Sequence, residues 1–150
     1  MTQNHYLNKH GFFIEDLHTG QDAKFQKKIT EKDINLFTKV TGDNNPIHTD
    51  EKFAKYSLFK KRIAHGFLSG SLISTVIATK LPGPGSIYLK QTLMFLAPVF
   101  IGDTVVAKVT VSEIKLGKKK IILLTECFIG EKKILTGEAE ILVSSRADLK

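Results

Sequence analysis

Gly66-Phe67-Leu68-Ser69-Gly70-Ser71-Leu72-Ile73-Ser74-Thr75-Val76-Ile77-Ala78-Thr79 carries no charge, and the first to follow is Lys80. Phe67, Leu68, Leu72, Ile73, Val76 and Ile77 recur at helical spacing among small residues, which predicts a helix enclosed by protein rather than half-exposed. Pro82-Gly83-Pro84-Gly85 stops it, and everything beyond reads as strand. Ser86 to Leu96 is extended and apolar, and Val105, Ala107, Val109 and Val111 alternate with Val106, Lys108, Thr110 and Ser112. Lys119–Ile129 and Lys133–Ser144 complete the set, with Gly117 and Gly130-Glu131 as hairpin connections. One buried helix followed by an antiparallel run is an α+β architecture. It excludes a doubly wound nucleotide-binding domain, where helices and strands alternate and a glycine-rich fingerprint follows the first strand.

Upstream, Phe12 to Asp16 begins an N-terminal extended segment and Ala23–Ile29 suggests an edge strand. Thr30 with Asp33 is a helix N-cap signature, and Ile34, Phe37 and Val40 place a short helix from Glu31 to about Val40. Asp50 caps a second one, with Phe53, Ala54 and Tyr56 on its apolar side. Between them lies Thr41-Gly42-Asp43-Asn44-Asn45-Pro46-Ile47-His48. Pro46 biases Asn45 toward extended backbone, so the chain bends and brings Asp43 and His48 within reach of one volume. A carboxylate beside an imidazole fixes its tautomer and shares proton transfer with a bound water. The same residues also suit a capped turn with a surface histidine, because Asp and Asn favour turns for local reasons. Gly66, at the start of the long helix, leaves unpaired N–H groups that no side chain shields, and such an end stabilises a developing oxyanion. A glycine that simply permits close packing is the alternative reading.

Thr41-Gly42-Asp43-x-Asn45-Pro46-x-His48-x-Asp50, Ile63-Ala64-His65-Gly66 and Ser71-Leu72-Ile73-Ser74 together resemble the MaoC-like (R)-specific enoyl-CoA hydratases, the hydratase 2 family. The resemblance runs from about Thr30 into the C-terminal strands. It implies a hot-dog fold, with a long antiparallel sheet wrapped around a central helix and an overhang carrying the motif. It also implies reversible hydration of a trans-2-enoyl thioester, on coenzyme A or an acyl-carrier protein, to the (R)-3-hydroxyacyl thioester without metal or redox cofactor. Carried over by residue, Asp43 and His48 are catalytic, Asn45 is the motif asparagine, Gly66 forms the oxyanion hole and Ser74 orients the histidine. Ile77 belongs to the acyl pocket, and Lys60, Lys61 and Arg62 are candidates for the coenzyme A phosphates. A hot-dog thioesterase and a non-catalytic acyl-thioester-binding module are the competing functions. His65 reads as structural, and His5, His10 and His18 as surface residues without a metal pattern.

The 150 residues suit one domain with its core at about 20–145, and 42% hydrophobic content supplies that core. Cys127 is the single cysteine, which excludes an intramolecular disulfide and agrees with a reducing, cytoplasmic setting. No apolar run approaches a membrane span, and Met1-Thr2-Gln3-Asn4-His5 lacks a secretory pattern. The net charge of +7 comes from scattered lysines, with no nucleic-acid-binding motif among them, so no nucleic-acid partner is expected. A sheet wrapped on one helix leaves an edge and an apolar face open, which points to a homodimer.

Overall fold

The computed structural model describes residues 2–149; Met1 and Lys150, the ends of the expected domain span, lie outside the described residues. In order come α1 (Thr2–Lys9), a 3-10 turn (Ile14–Asp16), β1 (Asp22–Lys28), α2 (Glu31–Thr41), α3 (Pro46–Thr49), α4 (Glu51–Lys55) and α5 (Gly66–Thr79). Then follow β2 (Ile87–Gln91), β3 (Met94–Phe95), β4 (Thr104–Lys115), β5 (Lys120–Ile129) and β6 (Lys132–Leu142). The strands form one antiparallel sheet ordered β1-β4-β5-β6-β2, with β3 also paired to β6.

The alternation in β4 determines which way the sheet faces. Val105, Ala107, Val109 and Val111 are at most 1% exposed, and across the ladder Ala107, Val109 and Val111 oppose Cys127, Thr125 and Leu123, all three fully buried. That inner face curls against α5, which contacts β4, β1 and β5. Leu68, Leu72, Ile73, Val76 and Ile77 of α5 point into the shared core. The sheet wrapped on one helix is the α+β hot-dog arrangement that the resemblance implies.

Several local expectations change. α5 is half-exposed, not enclosed: Phe67, Ser71, Ser74 and Ala78 fall on a second face left open to solvent. Small and hydroxyl-bearing residues occupy most of that face, which is why a helix without charges still has two sides. The Ser86–Leu96 segment breaks at Thr92-Leu93 into β2 and β3. There the Thr92 carbonyl crosses β6 so closely that a Cβ on Gly137 would lie 1.8 Å from it, and only glycine permits this approach. In the β4–β5 connection Lys119 adopts the left-handed backbone, φ 52°, rather than Gly117. The segment expected to be extended around Phe12–Asp16 contains the 3-10 turn, closed by the Asp16 carboxylate accepting from the Phe13 N–H at 3.1 Å. His10 is no surface residue; its ring stacks on Phe13 with centroids 4.1 Å apart and abuts Gly85.

Candidate active site

The segment between β1 and α5 hangs over one end of the helix and is held by its own caps. Thr30 Oγ1 accepts from the Asp33 N–H while the Asp33 carboxylate accepts from the Thr30 N–H, a reciprocal box that starts α2. Gly42 ends α2 at φ 79°, a left-handed conformation that glycine adopts without Cβ strain. The turn behind it is tied by Asp43 Oδ1, which accepts from the Asn45 N–H at 3.3 Å. Asn45 then caps α3, its Oδ1 accepting from the Ile47 N–H, and Pro46 occupies the first turn. Asn45 thereby launches the short helix that carries His48. Asp50 caps α4 in the same way.

This sequence of caps brings the chemistry together. One ligand-type atom from each of Asp43, His48 and His65 lies within 4.8 Å of the other two. His48 is 9% exposed, and its Nδ1 is 2.8 Å from the Ile63 carbonyl. A carbonyl only accepts, so Nδ1 carries the proton and Nε2 of the neutral ring is the basic nitrogen. Burial pulls the His48 pKa below the ordinary 6.5; the Ile63 carbonyl raises it, nearby His65 lowers it and Asp43 raises it, the net shift being downward. The ring therefore meets neutral solution as a base.

Asp43, His48 and His65 are also residue types that bind metals, but His48 Nδ1 and His65 Nε2 are already engaged with the Ile63 and Asp43 carbonyls. The two imidazole rings lie with centroids 4.0 Å apart and planes tilted by 31°.

His48 opens onto a cavity of about 420 Å³ whose other walls include Phe59, Ile63, Gly66, Phe67, Phe95 and Leu135. Gly66 is the first residue of α5, and its N-cap, His65, gives that end no side-chain hydrogen bond. The leading N–H groups thus sit at the positive end of the helix dipole beside an apolar chamber. A Cβ on Gly66 would come within 2.7 Å of the Phe95 ring, so glycine keeps the helix tip and the aromatic wall in contact.

Three sequence assignments need correction. Within the single chain Ser74 is not the partner of His48: it is exposed, eight residues beyond Gly66 along α5, and the Ile63 carbonyl bonds the ring instead. Ile77 is 1% exposed in the core and is not part of the cavity wall. Arg62 is occupied, binding Glu31 at 2.6 Å and Glu51 at 3.2 Å, and so clasps the starts of α2 and α4 rather than waiting for a phosphate. Lys61 lies over the Phe100 ring at 4.7 Å, while Lys60 is exposed with φ 61°. The sequence reading missed the aromatic lining. Phe59, Phe67 and Phe95 come from three separate segments, and only their position around Gly66 relates them.

A hot-dog sheet with an acid–imidazole turn overhanging its central helix defines the class of MaoC-like domains. Residues 15–126 match the MaoC like domain, and the chain belongs to that family. Among individual relatives, it is 47% identical to the (R)-specific enoyl-CoA hydratase of Rhodospirillum rubrum, over 89% of this chain and 93% of that one. It is 43% identical to the 3-hydroxybutyryl-CoA dehydratase of Methylorubrum extorquens, over 91% and 87%. Among solved structures, an unliganded R-hydratase from Pseudomonas aeruginosa superposes with a TM-score of 0.85 at 45% identity, covering 91% of this chain and 88% of that one.

Proposed function

We infer that this chain is an (R)-specific enoyl-CoA hydratase, adding water reversibly across the double bond of a trans-2-enoyl-CoA to give the (R)-3-hydroxyacyl-CoA. The observation that carries the site assignment is the convergence of Asp43 and His48 in the overhang, with His48 and the glycine tip of α5 lining one apolar cavity. The acyl chain enters the cavity and its thioester oxygen faces the Gly66 N–H. Asp43 and His48 hold a water over C3. As the water oxygen bonds to C3, one of its protons passes to the pair and electron density moves through C2 to the thioester oxygen, where the helix end stabilises the enolate. Protonation at C2 from the same pair collapses the enolate, and both elements of water have been added. All of this chemistry is acid–base, with no call on a metal or redox group.

Lys60, exposed on a segment bracketed by the lining residues Phe59 and Ile63, is a candidate for the coenzyme A phosphates. Two copies of the chain join through the open face of α5 and the edge strand β2, where Ile87, Tyr88 and Leu89 are exposed. Among the described residues no helix is long and apolar enough to cross a membrane, and the enzyme works in the cytoplasm. The test is loss of enoyl absorbance over a series of enoyl-CoA chain lengths with chiral analysis of the product. Formation of the (S)-alcohol, or release of free thiol without hydration, would refute the reading.

A further inference from the structure

His65 is the N-cap residue of α5 and is 2% exposed, yet its side chain makes no hydrogen bond to its own helix. Its contacts reach three other elements. Nε2 lies 3.0 Å from the Asp43 backbone carbonyl and 3.3 Å from Thr38 Oγ1 in α2. Since a carbonyl cannot donate, Nε2 carries the proton, and buried Nδ1 is left without a partner. The face of the ring lies against His48, and Phe37 packs on it at 4.9 Å, tilted by 49°. A residue needed only to fill core space would not have to donate to the bend of the turn. A residue needed only to cap α5 would bond the first N–H groups of that helix through its side chain.

We propose that His65 is a positioning residue for the hydration reaction: its Nε2–H fixes the Asp43 end of the turn while its ring face supports His48, so one side chain sets the acid–imidazole geometry against the oxyanion end of α5. This rests on the hydratase reading. The chain between Gly42 and Asn45 is exposed, and outside its local turn bonds the backbone at Asp43 is tied down by His65.

Two substitutions separate the two roles. His65→Phe keeps a ring against His48 and removes the donor, whereas His65→Gln keeps an N–H near the place of Nε2 and removes the ring. With crotonyl-CoA, His65→Phe is expected to lose about 10- to 100-fold in kcat with KM within about twofold, the signature of a displaced reacting group. His65→Gln recovers part of that loss, and the acidic limb of its kcat/KM profile moves upward as water reaches His48. The charged and titratable neighbours acting on His48 are His65 and Asp43, so no other group is expected to mask that movement. An NMR titration of the His48 ring reads the same shift without substrate.

Wild-type kcat and an unmoved acidic limb in both variants overturn the proposal. So does a loss in which kcat, KM and the unfolding midpoint change together and His65→Gln rescues nothing, since that describes structural damage alone. If the unaltered protein leaves every enoyl-CoA untouched, the hydratase reading fails separately. The ligand-free His48 titration then decides whether His65 governs that ring: an upward shift in His65→Gln supports it, and an unchanged curve rejects it.

Discussion

The sheet and the overhang are built on different principles. From Val105 to Val111 of β4 and from Ile121 to Cys127 of β5 every second residue is essentially absent from solvent, and the ladder pairs Ala107, Val109 and Val111 with Cys127, Thr125 and Leu123 over α5. Between residues 31 and 63 only Ile34, His48 and Ala54 are buried. The overhang is held instead by three side-chain caps, the Arg62 ion pairs and a few polar bonds to the helix tip. Apolar burial makes the sheet stable and chemically silent. Directional polar contacts hold the overhang in place while leaving a carboxylate and a basic nitrogen open to a ligand. The one functional side chain buried there, His48, is where the two regions are pinned together, through the Ile63 carbonyl and the adjoining His65 ring.

The largest expected effect breaks the comparison on the chemical side. His48→Gln and Asp43→Asn should each lower crotonyl-CoA hydration by about 10²- to 10⁴-fold, the usual worth of a positioned acid or base, with little change in the urea midpoint. Turnover close to that of the unaltered protein would show that the overhang is not the reacting region.

On the structural side, Leu123→Ala removes a fully buried side chain from β5. It should cost about 2–5 kcal/mol in urea unfolding while leaving KM of the folded fraction unchanged. A shift in KM without loss of stability would mean that the sheet's inner face shapes the site directly.

A smaller effect is set by pH. The His48 pKa is below 6.5 in the folded protein because burial disfavours its charge, so from about pH 6.5 downward the unfolded chain binds more protons than the folded one. Stability is therefore expected to fall with pH through that window, and His48→Gln should flatten this part of the profile in thermal scans.

The smallest effect concerns Arg62. Arg62→Ala should cost about 0.2–1 kcal/mol for each ion pair lost, measured by urea denaturation, and leave KM for the coenzyme A thioester near its original value. A KM rise of tenfold or more would instead return Arg62 to the phosphate-binding role that its sequence position suggests.

The ends of the overhang were legible because capping is local. Thr30 with Asp33 and Asp50 before α4 satisfy N–H groups within three residues, and each does so in the structure. The β4 alternation was legible for the same reason, since a period of two assigns every side chain to a face. Ser74 and Ile77 were misplaced because helical spacing gives their angles on α5 but not what lies opposite each angle. Arg62 was misread because its partners Glu31 and Glu51 are far from it in sequence. Sequence by itself thus determined the α+β order of elements, the bend that brings Asp43 and His48 together, and the glycine start of the central helix, all consequences of short-range backbone chemistry. Only the tertiary structure decided that Ile63 holds His48, that His65 ties the turn to the helix and that three distant phenylalanines wall one cavity, because each depends on contacts between segments that the chain must first fold to bring together.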